Sequence, residues 1–198
     1  MKKVLTPKLS NSYSTGGGGF DFEHKVQASF LLCLVCTTYF PLLGQPVEQL
    51  VFQATQHGYE TDDLVVISES GKLLCQMKAS IAITNKNKEF KNVVLAAWHD
   101  FCNPQFNQQT DQIALITQNC SQAFNLQKLH ELACDTLSES AFLSRIETTR
   151  SVSDKVRSVL SAIKDILLNA KISVSDKELW GFCKCYTQVC HHSCTWCH

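Results

Sequence analysis

The sequence predicts an α/β domain, a mixed β-sheet flanked by helices with a helical C-terminal extension, and three observations carry that prediction. Short apolar and β-branched runs at 47–54, 63–67, 73–78 and 113–117 alternate with longer segments of helical period. The second and third runs are separated only by the turn Ser68-Glu69-Ser70-Gly71-Lys72, so they pair as an antiparallel hairpin. The order helix, three strands, helix, strand, helices is that of a sheet layered by helices.

Residues 1–19 are polar, end in four glycines and read as a flexible leader. A phosphate-cradling loop would need a preceding strand and a following Gly-Lys-Ser/Thr, and neither is present. Residues 20–40 suit a helix with Asp21 as N-cap and Pro41 as its stop. Its apolar stretch, Phe30 to Cys36, is too short for a bilayer, which takes roughly 20 apolar residues, and lies too far from Lys2 and Lys3 for a signal peptide. It reads as a buried helix. Next come the strand VEQLVFQA, the strand DLVVI, the turn and the strand LLCQMK. Residues 86–101 form a helix with Phe90, Val93, Val94, Ala97 and Phe101 at spacings of three and four, which also buries Trp98 and leaves His99 at the surface. IALIT is a further buried strand, and from Phe124 helical patterns dominate, notably at 126–137 and 156–170.

With 198 residues the chain suffices for one domain, here 20–178. Eighteen basic and eighteen acidic side chains cancel, which argues against a broad phosphate-coating surface while leaving room for a local basic groove. Six of the eleven cysteines (Cys33, Cys36, Cys75, Cys102, Cys120, Cys134) are scattered through apolar segments, as buried free thiols are. With no secretory signal, a cytoplasmic location and no membrane are expected. The other five cysteines crowd into 183–198, part of a Cys/His-rich tail, 179–198, that reads as a truncated or aberrant terminus. Cys194-x-x-Cys197 has a spacing zinc accepts, yet no second, separated knuckle accompanies it, so Zn²⁺ is not expected there.

The chemistry concentrates around the hairpin. In LLCQMK the side chains alternate, so Leu74, Gln76 and Lys78 share one face while Leu73, Cys75 and Met77 share the other. A lysine is seldom placed on an inner strand without a partner, and Asp62 and Asp63 open the neighbouring strand. Such a set suits phosphodiester hydrolysis with Mg²⁺ or Mn²⁺ bound by carboxylate and carbonyl oxygens. Asp63 would be the main ligand, helped by the Gln76 side-chain carbonyl and the Met77 backbone carbonyl, with Lys78 acting on the attacking water or the phosphate.

Asp63, twelve intervening residues, then Gln76-Met77-Lys78 is similar to the Asp…(Glu/Gln)-x-Lys signature of the PD-(D/E)XK, or restriction-endonuclease-like, superfamily, and Glu23 matches the extra helix acid of many members. More closely, GGFDFEHKVQASFLL, TDDLVV, LLCQMK and AAWHDF resemble the N-terminal double-stranded DNA endonuclease domain of bacterial anti-phage effectors, over roughly residues 18–120. Those effectors include SAVED-bearing proteins of cyclic-oligonucleotide signalling and nucleases fused to STAND NTPases. The resemblance implies a restriction-endonuclease-like sheet, a catalytic set of Glu23, Asp63, Gln76 and Lys78, and metal held by Glu23, Asp62, Asp63, Gln76 and Met77. It implies double-stranded DNA as substrate, a homo-oligomer as a working form, and a sensor domain or protein as a partner. Five lysines against the single acid Glu89 between 72 and 91 add a candidate phosphate-contacting edge, Lys72, Lys86, Lys88 and Lys91.

Plainer readings stay open at this point. Glu23 suits a helix's first turn, Asp62 and Asp63 suit a turn before a strand, and Gln76 or Lys78 suits a satisfied amide or a solvated strand end. Gln76 stands where many nucleases carry an acid, so a catalytically inactive DNA-binding or assembly module of the same fold is the alternative function.

Overall fold

The computed structural model describes residues 17–38, 42–118, 123–149 and 152–190. The described chain is α/β, a five-stranded mixed sheet flanked by six helices, in the order α1 (Gly17–Val35), β1 (Val47–Phe52), β2 (Leu64–Ser68), β3 (Gly71–Lys78), α2 (Lys88–Phe101), β4 (Gln112–Thr117), α3 (Ala123–Cys134), α4 (Glu139–Thr148), α5 (Asp154–Asn169), α6 (Asp176–Cys185) and β5 (Tyr186–Cys190). Spatial strand order equals chain order, β1 to β5. The first three strands form an antiparallel meander, and β4 and β5 then add in parallel to β3 and β4.

The hairpin turn depends on Gly71. Its φ is 152°, and a Cβ there would meet the Thr110 carbonyl oxygen at 2.6 Å, so a side chain is excluded both by conformation and by space. From that turn the strands alternate as expected. Leu64, Val66, Leu73, Cys75 and Met77 pack with Phe22, Val26, Phe30 and Cys33 of α1. Val65 and Leu74 face the larger core formed by α2 to α6, which contains Phe90, Val94, Trp98, Phe142, Ile163 and Phe182. Two apolar layers on the two faces of one sheet account for its burial.

Three element boundaries differ from the sequence expectation. Helix α1 starts at Gly17, three residues inside the expected leader, so Asp21 lies within the helix instead of capping it, and Glu23 falls beyond the first turn. The helix stops at Val35, short of Pro41: Thr37 takes φ 53° and the Thr38 amide donates to the Cys33 carbonyl at 2.9 Å, a Schellman-type cap that satisfies the last carbonyls. Strand β1 ends at Phe52, because Gln53 turns left-handed (φ 54°) into a single 3-10 turn at Ala54–His57.

The largest difference concerns 179–198. Residues 179–190 are not a detached tail: α6 begins with a capping box between Ser175 and Glu178, and β5 extends the sheet beside β4. Phe182, fully buried, lies 5.3 Å from Trp98, 5.6 Å from Phe101 and 5.0 Å from Tyr186, ring centre to ring centre. The Cys and His composition there hid an ordinary amphipathic helix and a buried strand. Residues 191–198, with Cys194, Cys197 and the last histidines, lie outside the described residues, as does most of the expected leader. No helix among the described residues is long and apolar enough to cross a membrane.

Candidate active site

Antiparallel pairing sets Leu64 opposite Cys75, so Asp63, one residue before β2, falls opposite Gln76 at the end of the sheet where β3 finishes. There its Oδ2 accepts two hydrogen bonds of 2.5 Å, from the Gln76 side-chain Nε2 and from the Met77 backbone amide. The carboxylate thus continues the β2–β3 ladder by side chain where the β2 backbone has left it. Asp63 and Gln76 are each only partly buried.

Glu23 reaches the same place from α1, which covers the other face of the sheet. Gln27, one turn later, donates to Glu23 Oε1 at 3.0 Å and fixes its carboxylate. Burial and the nearby Asp63 charge push the Glu23 carboxyl above the usual range, against the pull of His24, Lys78 and Gln27. Asp63 is likewise raised, chiefly by burial, although the Met77 amide, Lys78 and Gln76 all favour its charged form. Lys78 is half-buried and forms no salt bridge among the described residues, yet it is close enough to act electrostatically on both acids. Glu23, Asp63, Gln76 and Lys78 therefore come to one end of the sheet, where the Asp63 charge acts on Glu23 and the Lys78 ammonium acts on both acids.

Other candidates are placed differently. Asp62 is turned away: its Oδ1 accepts from the Thr55 amide at 3.0 Å and from the Thr55 hydroxyl, which is the turn role open to an aspartate there. Lys72 stands at the start of β3, six residues and about 20 Å from Lys78, and its ammonium is held by Tyr59 Oη (2.9 Å), the Gln105 carbonyl (2.7 Å) and the buried Asp111 (3.4 Å). It belongs to the far end of the sheet, where a cavity of about 740 Å³ opens over Val51, Val65 and Ile67. Lys86, Lys88 and Lys91 are exposed and lie on the loop and first turn of α2. Because α2 is the crossover between the parallel strands β3 and β4, its N-terminus is at the Lys78 end.

Among the described residues no group of three or more His, Cys, Asp or Glu side chains is placed to share a metal ion. Cys183 and Cys185, in the Cys/His-rich segment, are buried in α6, where burial pushes both thiols up to about 12. Cys190 is disulfide-bonded.

Sequence reasoning missed Asp100, Gln27 and Gln188. Asp100 follows Val93 and Ala97 at spacings of four and three on the buried face of α2, and an acid inside an apolar stripe was the available signal. Gln188 shares a row with Gln76 through Leu115 and donates to Thr117 Oγ1 at 2.9 Å. It lies in the segment that composition had set aside. Comparison with protein-family models, with characterised proteins and with solved structures returns no match for this chain.

Proposed function

We propose that this chain is a divalent-metal-dependent endonuclease that hydrolyses phosphodiester bonds of double-stranded DNA, and that it serves as the effector nuclease of a cytoplasmic anti-phage system in bacteria. The observation that carries this reading is the convergence at one sheet end of Asp63, bonded to Gln76 and Met77, with Glu23 and Lys78 within electrostatic reach. The defence role, the DNA substrate, a homo-oligomeric working form and a sensor as regulatory partner rest on the resemblance.

The donor set fits Mg²⁺ or Mn²⁺. Burial raises both carboxyls, the Asp63 charge raises Glu23 further, and both Asp63 hydrogen bonds fall on Oδ2. Asp63 and Glu23 would hold the cation, with the Met77 carbonyl as a third oxygen and the Gln76 carbonyl as a fourth once its amide turns over, since the nitrogen now faces Asp63. When bound, the cation supplies a Lewis acid for the phosphate and for the attacking water. The protein's own share follows from geometry. Lys78, whose ammonium has no salt-bridge partner among the described residues, stabilises charge developing on the phosphate or orients the water. Lys86, Lys88 and Lys91 contact the backbone of the duplex and set its register.

The test is cleavage of linear and supercoiled double-stranded DNA with Mg²⁺ or Mn²⁺, beside Asp63→Ala and Lys78→Ala proteins. Cleavage abolished by both substitutions is the expected result. A well-folded chain that cleaves nothing and binds no Mn²⁺ would falsify the nuclease reading. A second reading, a DNA-binding or assembly module without catalysis, is favoured by one feature: the neutral Gln76 turns a nitrogen, not an oxygen, toward Asp63. It predicts DNA binding of equal strength with and without metal, and unchanged by Asp63→Ala.

A further inference from the structure

Asp63 lies before β2, so something other than the ladder must hold the segment that leads into it. That segment, 54–62, is fixed at both ends. The Ala54 amide donates to the Asp62 carbonyl at 2.8 Å, and the Asp62 side chain holds Thr55. In between, the Glu60 and Thr61 amides donate to the two oxygens of Asp100, one each, both at 2.7 Å. Asp100 is 1% exposed and Thr61 likewise 1%, so the Thr61 bond is shielded from water. The Asp100 carboxylate crosses 39 to 40 residues of sequence to grip consecutive amides two and three residues before Asp63. Charge-assisted bonds of this length are the strong kind.

We infer that Asp100 is a positioning residue for the proposed metal site: by clamping the Glu60 and Thr61 amides it sets where the Asp63 carboxylate stands against Gln76 and Met77. This rests on the nuclease reading for its purpose, but the clamp itself is testable apart from any activity. Asp100, 1% exposed, is not open to a substrate. It works through the backbone, as outer residues commonly orient ligands.

The experiment is amide hydrogen exchange followed by NMR on the full chain and its Asp100→Asn variant, which keeps the size of the side chain and loses one acceptor. Four amides decide the outcome: Glu60 and Thr61 report the clamp, Met77 reports the Asp63 hydrogen bond, and Leu115 on the interior strand β4 reports the whole fold. The expected result is exchange at least tenfold faster at Thr61 or Glu60 and at Met77, with Leu115 unchanged. Faster exchange at 60 and 61 with Met77 unaltered overturns the inference, because Asp100 would then secure only its own loop. Equal acceleration at Leu115 also overturns it, since the role would be general stability. Should Asp100→Asn not fold, scalar couplings across the hydrogen bonds in the unsubstituted chain serve instead, from the Glu60 and Thr61 nitrogens to the Asp100 carboxyl carbon, and their absence overturns the clamp. A parallel Mn²⁺ titration separates the two levels. Where the native chain binds Mn²⁺ through Asp63, Asp100→Asn should weaken it about tenfold or more; a native chain that binds none removes the nuclease reading while the exchange data still decide the clamp.

Discussion

Replacing Phe182 by alanine tests whether the Cys-rich C-terminal segment belongs to the fold. The ring is fully buried and bridges three others: Trp98 and Phe101 on α2, and Tyr186 on β5. Truncating a buried phenylalanine costs about 3–5 kcal/mol through lost transfer energy and the cavity left behind. Each aromatic pair adds ~0.5–1.5 kcal/mol beyond its area, which puts this site at the upper end of that range. Against a total stability of about 5–15 kcal/mol, the variant should unfold at a much lower urea concentration or fail to accumulate as folded protein. Urea unfolding followed by far-UV circular dichroism measures the loss, with Leu168→Ala, 64% exposed, as a control expected within about 0.5 kcal/mol of the native chain. A loss below about 1 kcal/mol for Phe182→Ala would refute the reasoning, because it would mean that α6 and β5 rest on the core without being part of it.

The paired acids predict a pH effect. The folded-state range of Glu23 is raised, so the stability its protonated form contributes is complete at low pH and is lost as pH climbs above the ordinary value of 4.5. Metal-free Glu23→Gln should therefore gain stability relative to the native chain as pH rises from about 4 toward 7, as urea midpoints measured in chelator would reveal. The lysines divide by location. Replacing Lys86, Lys88 and Lys91 together with alanine should flatten the slope of log affinity for DNA against log salt by up to about 2.7, whereas Lys72→Ala should leave the slope alone and lower stability by uncoupling buried Asp111. Thiol labelling read by peptide mass spectrometry should modify exposed Cys36 and Cys102 in the native state and spare Cys75 and Cys183, whose thiols are also raised by burial.

The elements with a strong local signal were legible before any coordinates. Alternation in LLCQMK placed Leu74 in one core and Leu73, Cys75 and Met77 in the other, and the three-four spacing of α2 named its buried face, Trp98 included. The ends of α1 were not legible, because glycine at 17–19 scores as a helix breaker while a left-handed Thr37 carries no composition signal. Strand β5 was hidden for a different reason. Cysteine and threonine among histidines suggest ligands or a stray terminus, and only the parallel register beside β4 shows Tyr186, Thr187 and Gln188 to be interior residues. For the site, chain order and alternation brought Asp63, Gln76 and Lys78 together, but two adjacent aspartates look alike in sequence. Their separate tasks, Asp62 on Thr55 and Asp63 on Met77, are decided by which carboxylate meets an amide.

The two uses of acids in this chain explain where it is rigid and where it is poised. Asp100 and Asp111 are almost wholly buried and saturated: Asp100 by two backbone amides, and Asp111 by the Lys72 and Asn107 amides and the Lys72 ammonium. A buried carboxylate with that many donors loses little by leaving water, so Asp100 can anchor the segment at 60–61 and Asp111 the start of β3 and the loop at Asn107. Glu23 and Asp63 have the opposite arrangement, with partial burial, the Asp63 charge acting on Glu23, and the Lys78 ammonium acting on both without a salt bridge to either among the described residues. Nothing in packing requires that pairing, and an apolar or amide residue at Glu23 would relieve it. A divalent ion at that end of the sheet would turn the repulsion that Asp63 exerts on Glu23 into attraction for both carboxylates, which is the electrostatic expectation that accompanies the proposed metal site.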